Sequence, residues 1–225
     1  MRTIFSVLTL ICCGMWSASQ ARAGSSICSA VPGNLVVNCG FETGDFTSWT
    51  LGGNILNPSG NYYGVDAFDA NSGNDGAYLS QDFVDDGTVP LDLSQALATT
   101  AGKSYYVTFY LEQDSAPTPG YLHALTVTWG GTSILSLTPT VAVPGPVGSF
   151  VEYTLTENAT SASTNLSFDF ENDDNYWSFD DVSVSPTPEP STYLLAGLGL
   201  SVFWLLKRAA VRPTPNTAYL SSSSA

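Results

Sequence analysis

The sequence predicts an all-β protein: an antiparallel two-sheet β-sandwich of jelly-roll type, preceded by a signal peptide and followed by a single C-terminal transmembrane helix. Three observations carry that prediction. Apolar and polar residues alternate with period two in segment after segment between residues 34 and 184, which is the repeat of half-buried strands. No run in that region longer than about ten residues has helical periodicity, so crossover helices and a parallel sheet are excluded. Charged residues make up only 12% of the 225 positions, against about 25% in ordinary soluble chains. Thr, Ser, Gly, Asn and aromatic residues take their place, a mixture that suits short strands and polar turns.

The chain begins Met1-Arg2 and continues with a short apolar run from Ile4 to Trp16, then Ala21-Arg22-Ala23. A positive start, an apolar core and a small-x-small site are the three parts of a secretory signal peptide read by the Sec translocon. Residues 1–23 are therefore assigned to it, with cleavage leaving Gly24 first.

Residues 24–185 form the sandwich domain. Strands are expected at 34–38, 78–83, 104–112, 122–129, 133–137, 150–156, 164–171 and 177–184. Turn chemistry separates several of them: Gly130-Gly131, Pro144-Gly145-Pro146 and Asn172-Asp173-Asp174-Asn175. Gly-Gly directly after Trp129 reads as a tight hairpin. Trp49, Tyr106, Phe109, Phe168 and Phe170 are assigned to the core. His123 alternates in phase with Leu125, Val127 and Trp129, which places it on the core face as well.

The charge is lopsided. All 20 acidic residues lie from Glu42 to Glu189, with Lys103 the one basic residue among them, a formal charge of −19 for that segment. Such a surface repels polyanions, which excludes nucleic acid as a partner. Only Cys28 and Cys39 remain after signal cleavage. In an exported domain they are expected to form a disulfide.

The tail has three parts. Pro186-Thr187-Pro188-Glu189-Pro190 is a stiff spacer. From Ser191 to Leu206 the chain is uncharged and rich in Leu and Gly, about 24 Å of helix set against a hydrocarbon layer of about 30 Å. Lys207-Arg208 follow and predict that the far end stays cytoplasmic. The spacer with Pro188, Glu189 and Pro190, the short apolar helix and the basic stop together resemble the PEP-CTERM sorting tail, here residues 186–208. The resemblance implies processing by an exosortase, a membrane-anchored intermediate and a final place at the cell surface or outside it. Residues 209–225, with Arg212-Pro213-Thr214-Pro215 and a Ser-rich end, read as a disordered polar extension. Such tails usually stop sooner.

Two further segments are similar to the opening and closing strands of galactose-binding-like and carbohydrate-binding-module jelly rolls. One is Asn34-Leu35-Val36-Val37-Asn38 with Gly40-Phe41-Glu42-Thr43-Gly44-Asp45-Phe46 and Trp49. The other is Phe168-Asp169-Phe170-Glu171 with Trp177-Ser178-Phe179-Asp180-Asp181-Val182. Jelly rolls of this type often hold a structural Ca²⁺ between a Glu of the first strand and an Asp of the last, which maps here to Glu42 and Asp181, with Asp180 as the alternate. Alternation requires one of the two Asp residues to face each side of the strand. The competing reading is an Asp that accepts backbone N–H bonds at a strand end.

For a glycan, flat rings stack and Asn or Asp bond hydroxyls. The candidates are Tyr62, Tyr63, Tyr121, Tyr176 and Trp177, each with edge or core packing as the rival reading. No Gly-x-Ser-x-Gly, His-Glu-x-x-His or phosphate-cradling glycine loop occurs in the sequence. With 20 carboxylates a glycosidase-like pair can always be nominated, so none is. The expectation is a non-catalytic envelope or matrix protein associated with exopolysaccharide. The alternatives are a carbohydrate-binding module with a defined glycan site and, last, a glycoside-active enzyme.

Overall fold

A computed structural model describes residues 25–53, 55, 63–80, 89–114, 123–138, 147–172, 175–188 and 190–210. The signal segment, Tyr62, Tyr121, Glu189 and residues 211–225 lie outside the described residues, as do the side chains of Pro190 and Arg208.

The described strands form two five-stranded antiparallel sheets. The first runs β1 (Thr50–Gly53), β4 (Leu91–Ala98), β9 (Ser163–Asn172), β6 (His123–Trp129), β7 (Thr132–Leu137). The second runs β2 (Tyr63–Asp66), β3 (Gly76–Leu79), β10 (Trp177–Pro186), β5 (Ser104–Gln113), β8 (Val151–Asn158). Taken alone, β3 to β10 give the orders β3-β10-β5-β8 and β4-β9-β6-β7. That is the eight-strand double Greek key of a jelly roll, with β1 and β2 each added to one edge. The predicted sandwich is the observed one.

Its core is aromatic. Phe168 and Phe179 lie with ring centroids 4.7 Å apart and Phe109 packs on Phe168 at 5.2 Å, so both sheets meet through interlocked rings. Trp49, Phe109, Phe168 and Phe170 are buried as expected, and so is His123. Gly130 and Gly131 both take positive φ, 58° and 81°, the backbone that a two-residue hairpin with the sheet's own twist requires.

Two expectations fail for identifiable reasons. The segment 34–38 is not a strand. Its Val37 satisfies both backbone groups on one side chain, donating to Gln95 Oε1 at 2.9 Å and accepting from Gln95 Nε2 at 3.0 Å. Asn38 then turns the chain at φ 52° while its amide bonds the carbonyls of Asp45 and Thr47. The sequence pattern also missed β1, β2 and β4. The first two are only four residues long, and β4 (LDLSQALA) lacks β-branched and aromatic residues.

One end of the sandwich is knitted from short turns. Thr99 and Gly102 donate backbone N–H bonds to the carbonyls of Ala162 and Ala159, Ala159 donates to Lys103, and Gly130 donates to Asn165. Thr187 donates to the Ser104 carbonyl at 2.9 Å, so the tail leaves from this same end. Pro186 closes β10 and Pro190 opens helix α1 (Pro190–Ala210). A strand end and a first helical turn are the places where a missing N–H costs little. Among the described residues no helix is long and apolar enough to cross a membrane. The transmembrane span expected in the tail is therefore not found. The apolar stretch stops at Lys207, short of the roughly 20 residues a span needs.

Candidate functional site

The outer face of the second sheet carries the site. Along β10, Trp177 and Phe179 point into the core, and so do Val182 and Val184. The inward positions thus shift from odd to even numbers. The register slip against β5 between Asp180 and Ser183 is the β-bulge that produces this shift, with Asp181 at φ 53°. Consequently Asp180 and Asp181 both face outward. The expectation that one would face each side is corrected: a bulge puts two successive residues on one face.

Both aspartates are buried, 0% and 1% exposed, and each collects three donors. Asp180 accepts from the backbone N–H groups of Asn71, Ser72 and Asp181 at 2.8, 3.1 and 2.7 Å. Asp181 accepts from Cys28 N–H at 3.3 Å, Asn71 Nδ2 at 2.8 Å and Ser72 Oγ at 2.7 Å. Glu42 meets the far side of the same loop, accepting from Asn74 N–H at 2.8 Å, Asp75 N–H at 3.4 Å and Asn74 Nδ2 at 3.3 Å. Gly73, at φ 79°, leaves Glu42 its room: a Cβ there would lie 1.8 Å from Glu42 Oε1. Burial, and then the neighbouring charge of Asp181, push the Asp180 carboxyl up to about 8 against the pull of its backbone donors.

This chemistry does not fit a calcium cage. Ca²⁺ wants carbonyl and carboxylate oxygens converging on it, whereas these three carboxylates are met by N–H and O–H donors. Among the described residues no group of three or more His, Cys, Asp or Glu is placed to hold a metal.

Beside Asp181 opens a groove of about 460 Å³. Its floor is the ladder of β5 and β8, where Tyr110 stands opposite Glu152 and Thr108 opposite Thr154. The two threonine hydroxyls are 2.9 Å apart. Tyr106, Ser183 and Ser185 complete the floor, and Ile27, Cys28 and Val31 wall one side. That wall is a single 3₁₀ turn, Ile27–Ala30, fastened by the Cys28–Cys39 disulfide the sequence predicted. Burial raises the Tyr110 hydroxyl above its usual range, followed by the charge of Glu152 and a hydrogen bond to it. Tyr106 is 42% exposed, which corrects its assignment to the core: it sits on the outward register of β5, out of phase with Phe109.

The sequence-nominated aromatics among the described residues, Tyr63, Tyr176 and Trp177, do not gather here. Trp177 is 1% exposed and donates its indole N–H to the Glu171 carbonyl at 3.2 Å. It is a core side chain, because its register is that of Phe179. Tyr63 packs against Phe46 with centroids 6.2 Å apart and donates its hydroxyl to the Ile55 carbonyl. Tyr176 meets Tyr78 edge-on at 5.8 Å, in acidic surroundings. Its hydroxyl is raised first by burial and then by Asp114, Asp69, Asp66 and Glu112. The outward register of Tyr106 and Tyr110 was legible through alternation with the core residues Val107, Phe109 and Leu111, but not the groove they enter.

Residues 186–209 match the PEP-CTERM protein-sorting motif. No curated protein matches the chain. Among solved structures it is similar to a Stig cyclase, Fisc, from Fischerella sp. TAU in complex with an indole ligand, at 16% identity and a TM-score of 0.50, covering 69% of this chain and 98% of that one. It is also similar to TmCBM61 in complex with β-1,4-galactotriose, at 20% identity and a TM-score of 0.47 over 68% of this chain and 99% of that one. A family 16 carbohydrate-binding module matches at 15% identity and a TM-score of 0.46, over 67% and 99%. The likeness to the cyclase is one of fold. The tail is the functional signature: this chain carries a PEP-CTERM sorting motif behind its β-sandwich, which marks an exported, exosortase-sorted protein processed at the membrane.

Proposed function

We propose that the protein is a non-catalytic envelope component whose sandwich domain binds extracellular polysaccharide along the groove on its second sheet. The observation that carries this reading is the pairing of Tyr106 and Tyr110 in one open groove with a row of hydroxyl and carboxylate acceptors. Four residues apart on one strand, the two positions are about 13 Å apart along the backbone, a span that suits a chain of sugars. Apolar ring surface with a few fixed polar groups is the usual composition of such a site. A non-catalytic role is supported by the engagement of the buried carboxylate beside the groove: Asp181 already holds three donors. Sorting by the tail brings the domain to the surface, where polysaccharide is met.

The test is a glycan array probed with the mature protein and with its Tyr106→Ala and Tyr110→Ala forms. Binding that both substitutions abolish supports the reading. Binding that neither changes, or none at all, removes it.

A further inference from the structure

We propose that this groove selects glycans bearing free ammonium groups, amino-sugar polymers that are at least partly de-N-acetylated. The inference rests on the polysaccharide-binding reading above and adds the charge of the ligand. The groove is built independently of its charge, as an open trough of about 460 Å³ between the ladder of β5 and β8 and the disulfide-fastened turn. What lines it then decides what it accepts.

Its polar groups are hydroxyls and carboxylates: Thr108, Thr154, Ser183 and Ser185, with Glu152 and Asp181. Hydroxyls serve any sugar, and the buried Asp181 carboxylate already holds its three donors, but the exposed Glu152 carboxylate accepts only, and an ammonium group is the donor that gains most from it. The exposed ring of Tyr106 and the half-buried ring of Tyr110 add a surface that attracts cations as well as stacking on sugars. Among the described residues no basic side chain lines the groove. Lys103, the only basic residue between residues 24 and 190, is at the knitted end in the turn before β5. A uronate or sulfated glycan would therefore find no counter-charge and would meet a domain of −18 formal charge. That field repels polyanions and concentrates polycations, and the groove walls focus it.

Binding of the mature protein would be measured at mildly acidic pH to three oligosaccharides of equal length: a β-1,4-linked glucosamine oligomer, its N-acetylated counterpart and an oligogalacturonate. The expected order is glucosamine oligomer first by about tenfold, then the acetylated form, with no binding of the uronate. Glu152→Gln should erase the preference, while Glu171→Gln on the first sheet leaves it intact. Equal loss from both substitutions assigns the preference to diffuse charge and overturns the groove's role in it. Equal or tighter binding of the acetylated oligomer, still dependent on Tyr106, overturns the ammonium selection and leaves the glycan site standing. Absence of Tyr106-dependent binding to all three sinks both.

Discussion

Cys28 donates its backbone N–H to the carboxylate of Asp181, 153 residues further along the chain, at 3.3 Å. The same residue is bonded to Cys39 through its sulfur, so one position joins the N-terminal turn to the bulge of the central strand. Replacing Cys28 and Cys39 with serine should lower the unfolding free energy by about 2–3 kcal/mol, the chain-entropy effect of so short a loop. Asp181→Ala should cost about 3 kcal/mol or more, since the donors of Cys28, Asn71 and Ser72 lose their acceptor together. Urea denaturation of the single and combined variants should show a combined loss smaller than the sum, because both changes release the same turn.

Stability should fall as pH rises from about 4 to about 8. Asp180 is raised from 3.8 to about 8, and Asp69 and Asp169 from 3.8 to about 6, each chiefly by burial. A folded state that keeps its proton where the unfolded chain has released it is favoured at low pH and loses that advantage as the folded group titrates. Between about 6 and 8 only Asp180 of the three still titrates. Melting temperatures measured across that window should decline in the wild type and stay nearly level in Asp180→Asn.

Chelation should leave the melting temperature unchanged. The carboxylates of Glu42, Asp180 and Asp181 are served by protein donors, so their loop does not depend on a bound cation. A fall in melting temperature with EDTA, restored by Ca²⁺ and absent in Glu42→Ala, would return these residues to a metal site.

Core and groove aromatics should separate cleanly. Trp177→Ala removes a fully buried ring and should cost about 3–5 kcal/mol, with binding lost only as folding is lost. Tyr106→Ala removes a side chain 42% exposed and should change stability by less than about 1 kcal/mol while abolishing glycan binding. Thermal melts and affinity electrophoresis on the same two variants would distinguish these outcomes.

Much of this was written in the alternation. Strands β5 to β10 follow their period-two patterns to within one or two residues at each end, because each has one face on the aromatic core. The bulge was legible too. In Trp177-Ser178-Phe179-Asp180-Asp181-Val182-Ser183-Val184 the apolar phase slips by one at the paired aspartates, and a phase slip inside a strand is what an inserted residue produces. Other features had no local signature. Val37 has strand-forming neighbours, yet its partner is the amide of Gln95, a contact across 58 positions that no window can contain. The groove was hidden for the same reason. Tyr110 and Glu152 become neighbours only once β5 and β8 pair, and its side wall comes from residues 27–31.

The position of β10 has a mechanical consequence for a protein handled by its tail. This strand lies between β3 and β5, is hydrogen-bonded to both, and passes directly into the sorting segment through Thr187. A pull on the tail is therefore applied lengthwise to an interior strand, whose bonds to β5 along Ser183–Pro186 and to β3 along Trp177–Phe179 are loaded in shear rather than unzipped singly. The N–H of Leu35 bonded to the Val184 carbonyl and that of Val182 bonded to the Cys39 carbonyl add resistance from the disulfide-closed segment. Anchored this way, the domain would carry load through its tail without fraying from the attached end.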